Sequence, residues 1–391
     1  MANAKDCTIS LRLAFTRAGS WAPESENNWR HLCNELLGRF IQRYHAISVH
    51  APDFELSELG NLTHFFPGQV HSLRSVKLLA RSAGCDDTIS LFSVAPQLTR
   101  VVFGLLDGYV MDDSWSNISQ YFRPSLLPLP WGQLTHCCIR MPVTLPIWYT
   151  LLPQLHSLEQ CAITLDAESY GDSRAINLSQ APIILPNLTV LGLTLNTRDR
   201  PVAFHGVEMP QLNKLHLSSL FPMNVLTLQW QEHIGVLCNL SSFCLHRVGI
   251  DSQHLMNILG EMGRLQELIL SCDLRDYDAI LKALTVDEAA SAPLVPLLQI
   301  FKIHVAFGRN NIQFKPETLV HMVRSRWWIP LTSVSVKRLH LVRVGVFGAD
   351  PSLSELGTLL LPIMVEGLVF EMAQELTPFP YPSDEDITVM W

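Results

Sequence analysis

Residues 188 to 196 read Leu188-Thr189-Val190-Leu191-Gly192-Leu193-Thr194-Leu195-Asn196, with Pro186 and Asn187 just ahead of them. The apolar positions Leu188, Leu191 and Leu193 follow the form L-x-x-L-x-L, whose second half alternates as a half-buried strand does. The form recurs at Leu212/Leu215/Leu217 and Leu265/Leu268/Leu270. With related apolar residues admitted, it also appears at Leu73/Val76/Leu78, Leu98/Val101/Phe103, Leu134/Cys137/Ile139, Leu158/Cys161/Ile163, Leu240/Phe243/Leu245 and Leu331/Val334/Val336. A degraded unit around Leu298, Phe301 and Ile303 fills the widest gap. Fainter copies stand at Ile9/Leu11/Leu13, Tyr44/Ile47/Val49 and Leu368/Phe370.

From Leu73 to Leu265 the first positions are 25, 36, 24, 30, 24, 28 and 25 residues apart. A unit of that length cannot shelter its own apolar face, so units must stack and pool their cores. Between strands lie helix-compatible stretches. In Asp251 to Gly260, Leu255, Ile258 and Leu259 share a face and Asp251 can cap the start; Arg275 to Leu284 repeats the pattern with Tyr277, Ile280, Leu281 and Leu284. The predicted fold is α/β, a leucine-rich-repeat solenoid (horseshoe) over residues 1–376, with a parallel β-sheet on the concave face and helices or irregular segments on the convex face. A Pro-rich, acidic tail follows over 377–391. Only Leu188 to Asn196 ends on the Asn that bonds neighbouring turns in regular repeats, so irregular turns are expected.

Side chains that alternate with the core residues face away from it. Those picked out as candidate partner-binding residues on the concave face are Lys77, Arg100, Lys214, His216, His246, Glu267 and Lys337. The competing reading of any one of them is that it only solvates the sheet.

The chain has 48% hydrophobic and 16% charged residues, which suits a packed core. Twenty-eight basic against 36 acidic residues give a net charge of −8, with no Lys/Arg run to track a phosphate backbone. Neither nucleic acid nor a membrane is expected as a partner, because the most apolar stretch, Leu356 to Phe370, holds Pro362 and Glu366 and is too short to span a bilayer. No secretory signal is read at the N-terminus. Nine scattered cysteines are read as free thiols of a reduced compartment, and the expected location is intracellular, cytoplasmic or nuclear.

Catalytic signals are weak. Gly171-Asp172-Ser173 resembles an esterase nucleophile block, but no Asp-x-x-His follows near the C-terminus and no G-x-S-x-G elbow exists. His136-Cys137-Cys138 is the densest metal-ligand cluster, yet alternation sends neighbouring side chains to opposite faces. Trp327 and Trp328 beside Arg324 and Arg326 form the best base-stacking candidate, with core packing the favoured alternative. Phosphate-binding Gly-rich loops are missing. No catalytic, cofactor-binding or metal-binding residue is assigned.

Several segments together carry a resemblance: Leu13 to Ser20 (LAFTRAGS), Arg43-Tyr44 before Ile47-Ser48-Val49, Leu129 to Thr135 (LPWGQLT), Leu185-Pro186-Asn187-Leu188, Met322 to Trp327 (MVRSRW), Pro330 to Val334 (PLTSV) and Glu366-Gly367-Leu368. With them the chain resembles the F-box/leucine-rich-repeat-like proteins of mushroom-forming fungi. That resemblance implies repeats that hold a protein substrate, and an F-box module that docks on the Skp-type adaptor of a cullin ubiquitin ligase. The L-P-x-E-[IL] opening of such a module is not found, so an adaptor is expected only if an F-box lies upstream. Two alternatives stay open: a free-standing scaffold without a ubiquitin link, and a serine hydrolase using Ser173.

Overall fold

A computed structural model describes residues 9–14, 41–55, 70–82, 92–105, 122, 124–125, 128–166, 182–196, 206–219, 234–274, 276–287, 293–306, 314–329, 335–347 and 355–375. Gly171-Asp172-Ser173, the tail over 377–391, Leu331 to Val334 and most of Leu13 to Ser20 lie outside them. The fold is mixed α/β and rests on parallel sheet. It divides into two compact units, Met1–Leu188 and Thr189–Trp391, where the sequence reads as one run of repeats.

In the first unit β1 (Ile9–Ala14), β2 (Tyr44–Glu55), β3 (Ser75–Ser82), β4 (Arg100–Leu105), β5 (His136–Thr144) and β6 (Gln160–Asp166) lie side by side in chain order, each parallel to the next. Helix α1 (Leu145–Leu151) follows β5, and a two-residue strand β7 (Ile183–Ile184) lies near the unit's end. The second unit repeats the plan with β8 (Val190–Asn196), β10 (Lys214–Ser219), β11 (Ser242–Gly249), β12 (Glu267–Asp273), β13 (Ile300–Ala306), β14 (Leu341–Phe347) and β15 (Val369–Glu375), while β9 (Val207–Glu208) is a short strand before β10. A single turn, α2 (Ile234–Leu237), precedes β11. Helices α3 (Ser252–Gly260), α4 (Tyr277–Leu284), α5 (Pro316–Trp327) and α6 (Leu356–Val365) connect the strands from β11 to β15, each packed on the next.

The repeat leucines explain this order. Val76, Val101, Cys137 and Cys161 are in register from β3 to β6, as are Leu191, Leu215, Phe243, Leu268, Phe301 and Val342 from β8 to β14, and all are buried. A further apolar residue stands three positions before each first leucine. Val70, Ala95, Trp131, Leu155, Leu185, Met209, Leu237, Met262 and Val295 are buried, and each carbonyl accepts the N–H of the leucine three residues on. This tight turn aims the chain into its strand, so the working frame is Φ-x-x-L-x-x-Φ-x-Φ (Φ, apolar).

One carbonyl per repeat then accepts N–H groups from the next. Thr99 and Arg100 donate to Arg74 O, Thr135 and His136 to Thr99 O, Glu159 and Gln160 to Thr135 O, and the second unit does the same from Thr189 to Gln299, while His340 O accepts from Val369 alone. Each strand entry is thereby tied to its predecessor, as nearest-neighbour stacking requires.

The frame corrects one assignment. Val336 opens its unit instead of closing it, and the repeat reads Val336-x-x-Leu339-x-x-Val342-x-Val344, all four buried, leading into β14. Leu368 is buried as expected, and Phe370 takes the register of Val342.

The expected cap at Asp251 forms, and Asp276, which the sequence did not single out, caps the next helix. Asp251 accepts from Gln253 N at 3.0 Å at the start of α3, and Asp276 accepts from Ala279 N at 3.0 Å at the start of α4. The apolar faces read from the sequence for these helices are buried. Tyr277 donates its hydroxyl to Cys272 O at 2.6 Å, which satisfies a polar tip inside the core.

Arg326 on α5 is fully buried and gives its guanidinium hydrogens to Leu284 O (2.6 Å), Leu294 O (2.6 Å) and Val295 O (3.2 Å). Burial lowers its pKa to about 10, still high enough to keep its charge at neutral pH. Trp327 is buried, donates Nε1–H to Glu366 Oε2 at 2.7 Å and lies under the Arg338 guanidinium at 5.9 Å, whereas Trp328 is half exposed. The Trp/Arg cluster therefore packs the joint between α4, α5 and the turn before β13.

Candidate functional site

With Val76, Leu78 and their equivalents pointing inward, residues between them line the opposite, outer face of the sheet. Six of the seven residues picked from the sequence stand there. Lys77 sits on β3 between Ser48 and Val102 in register, and Arg100 opens β4 beside Ser75 and His136. In the second unit Lys214 lies beside Val190 and Ser242, His216 beside Gly192 and Cys244, His246 beside Ser218 and Ser271, and Glu267 beside Ser242 and Ile300. Lys337 is the exception. It is exposed in the irregular stretch ahead of β14, where its backbone N–H donates to Pro296 O at 2.8 Å, because the true repeat begins at Val336.

The second unit brings its four together with residues the sequence reading passed over. Glu267 accepts from Lys302 Nζ (2.8 Å) on its Oε1 and from Ser242 Oγ (2.8 Å) on its Oε2. Burial alone would raise this carboxyl, but Lys302, through its hydrogen bond and its charge, together with Ser242 and Lys214, holds it below the usual range. On the same row Arg343 approaches Glu371 at 3.8 Å. Lys302 and Arg343 each stand between two core residues of the motif, Phe301/Ile303 and Val342/Val344, and that position could have found them.

His216 shares the row of Lys302 and Arg343, and His246 stands on the next row beside Ser218 and Ser271. The rings of His216 and His246 meet edge to face across these rows at 6.5 Å and 78°. Burial first, then the nearby His216, Arg247 and His304, lowers the His246 pKa to about 3, so this ring is neutral at physiological pH. His304 lies across Gly345, where a Cβ would come within 2.5 Å of Nδ1, so only glycine admits the ring. Ser271, in register with His246, is buried and its Oγ has no hydrogen-bond partner among the described residues. Thr194 and Ser218 join by a 2.7 Å hydroxyl pair.

The outer face of the first unit has a different floor. Leu79, Val102 and Cys138 point outward yet are buried, so alternation separates Cys137 from Cys138 without exposing the latter. Lys77 stands beside Val102 in the same row. Gly104 leaves room for the stem of Arg140: a Cβ there would fall 3.1 Å from Arg140 Cβ and 3.0 Å from Leu79 Cδ2. Burial and the Arg100 charge lower the pKa of His136 against an opposing pull from Glu159.

Among the described residues no three His, Cys, Asp or Glu side chains converge to hold a metal ion. Six described cysteines, at 137, 138, 161, 238, 244 and 272, carry free thiols. No described helix is long and apolar enough to cross a membrane. No protein-family model matches the chain, and no curated protein matches it either.

Proposed function

We propose that this chain is a leucine-rich-repeat solenoid that works as a protein-protein interaction module, with the outer face of its sheet as the contact surface. The observation that carries this reading is the in-register array of outward polar side chains, Lys77 and Arg100 in one unit and Lys214, His216, His246, Glu267, Lys302 and Arg343 in the other. Each is held on a parallel strand backed by buried leucines. Rigid scaffolds that display variable side chains suit recognition, because little side-chain order remains to be lost on binding. No chemical step is assigned to these residues.

Within that reading the chain acts like the substrate-recognition part of an F-box protein of a cullin-type ubiquitin ligase. This finer role rests on the resemblance of segments such as Leu129 to Thr135 and Met322 to Trp327. A free-standing scaffold is the alternative, and the Ser173 hydrolase falls on residues outside those described.

The test is proximity labelling or affinity capture with the full chain in cells, comparing wild type with outward charge reversals in each unit, Lys77→Glu with Arg100→Glu and Lys302→Glu with Arg343→Glu. Proteins captured by the wild type and lost with either pair support the module. Capture indifferent to both pairs removes it. Adaptor and cullin peptides among the captured proteins would favour the ligase role over the scaffold.

A further inference from the structure

Among the side chains the structure describes on β1 to β5, the outward charges are all positive. Arg12 on β1, Lys77 on β3, Arg100 on β4 and Arg140 on β5 belong to the outer face, with His50 on β2 and His136 on β5 among them. Among the side chains the structure describes on β1 to β5, none is a carboxylate. The first described carboxylates come at the margin, Glu159 just before β6 and Asp166, buried, at its end. Arg12, Lys77 and Arg100 form no ion pair with a described residue. In the second unit two outward cations are matched, Lys302 with Glu267 and Arg343 with Glu371, and Lys214 lies near the same Glu267. Three cations without an ion-pair partner among the described residues, on an ordered sheet face of a chain whose net charge is −8, are a localised exception to the whole.

We propose that the outer face of β1 to β5 is a docking site for an acidic, extended segment of a partner protein, with Arg12, Lys77 and Arg100 as its charge contacts. This inference rests on the reading of the chain as a protein-binding module. Parallel neighbours lie about 4.8 Å apart, so the three cations from β1 to β4 cover roughly 14 Å across the strands. An extended peptide places same-side residues about 6.8 Å apart, so three acidic side chains on a short segment match that width. The buried floor of Leu79, Val102 and Cys138 strengthens the choice, because charge pairs formed over a low-dielectric surface are screened less than pairs in open water. A nucleic acid fits less well. The described outer face of β1 to β5 bears no Phe, Tyr or Trp on which bases stack, and a long polyanion would meet the repulsion of a −8 chain.

The experiment uses the full chain and a fluorescein-labelled twelve-residue Asp/Glu peptide, its Asn/Gln counterpart and a single-stranded oligonucleotide of equal length. Anisotropy is read at low and at physiological salt. The acidic peptide is expected to bind at least about tenfold more tightly than the neutral one, and to weaken as salt rises. Lys77→Glu with Arg100→Glu should abolish that preference, and Lys77→Gln with Arg100→Gln should reduce it by several fold. Arg264→Glu with Lys282→Glu changes the net charge equally at exposed positions off this face and should leave binding within about twofold. Thermal melts of each variant confirm folding.

No preference for the acidic peptide, or a preference indifferent to Lys77 and Arg100, overturns the inference. Tighter binding of the oligonucleotide through the same two residues overturns it in favour of nucleic acid. If captured proteins depend on the outward residues while the acidic peptide fails, the interaction module stands and its acidic ligand does not.

Discussion

The two units use the same repeat frame and arrive at unlike outer faces. In the first, the described charges on β1 to β5 are all positive and share the face with buried apolar side chains; in the second, Lys302 and Arg343 are matched with Glu267 and Glu371 beside imidazoles and hydroxyls. The inward positions leave little choice, since each must fill the gap between neighbouring strands at close packing. Apart from close contacts such as that of His304 on Gly345, the outward positions are freer, so one architecture presents two chemistries.

The comparison is most exposed to failure at Arg326, which has no counterpart among the described residues of the first unit. Replacing it with Met takes the Arg326 donor from Leu284 O and Leu294 O, while Val295 O keeps the Leu298 N–H, and should cost about 3 kcal/mol or more. Urea unfolding followed by amide exchange should show the second unit opening first. Loss shared evenly by both units would mean they are coupled far beyond nearest neighbours.

The next test sets one substitution on both faces. Cys138→Asp buries a carboxylate and should cost several kcal/mol, about 3 or more, unless the group stays protonated, whereas Cys244→Asp on the half-exposed face should cost about 1 kcal/mol or less. Equal effects in denaturant titrations would erase the distinction between the floors.

A smaller effect comes from pH. The folded chain keeps His246 neutral down to about pH 3, while an ordinary imidazole gains its proton near pH 6.5. Because the unfolded chain binds that proton first, stability falls as pH drops below about 6.5, by about 1 to 2 kcal/mol at pH 5 from this residue. His246→Asn should flatten that part of the stability profile. His136 in the first unit is shifted the same way, so the same test on it compares the units directly.

The smallest effect belongs to the matched charges. A double-mutant cycle with Glu267→Gln and Lys302→Met should give a coupling of about 0.5 to 1 kcal/mol, and the longer Arg343/Glu371 pair almost none.

Much of this was legible in the sequence. Leu188, Leu191 and Leu193 announce a strand because alternation and burial go together, and Asp251 announces a helix start because its carboxylate satisfies an N–H that the helix leaves free. The upstream apolar position was not legible, since Val70, Ala95, Trp131 and Met209 share no residue type and sit in a turn without period. Its absence from the motif let Leu331, Val334 and Val336 pass for a strand and carried Lys337 with them. Partners such as Glu267 and Lys302 are far apart in the chain and meet only once β12 and β13 pair. The burial of Cys138 lies on a face that alternation marks as outward, and periodicity has no term for what lies above it. The resemblance segments prove to hold structural fastenings: Gln133 ties Ala95 O and Leu98 O at 2.7 and 3.0 Å, and Arg326 secures the carbonyls of α4 and the following turn.

The paired N–H groups that each repeat lends to one carbonyl of its predecessor fix where a strand begins and leave open how long the chain wanders before the next. Anchors as closely spaced as Thr135 and Glu159, and as distant as Gln299 and His340, give the same registration. Such a molecule can lengthen its connections without disturbing its ladder, and foreign peptide spliced between a strand's exit and the next anchor should be carried as a passenger, which makes the chain a natural host for grafted epitopes.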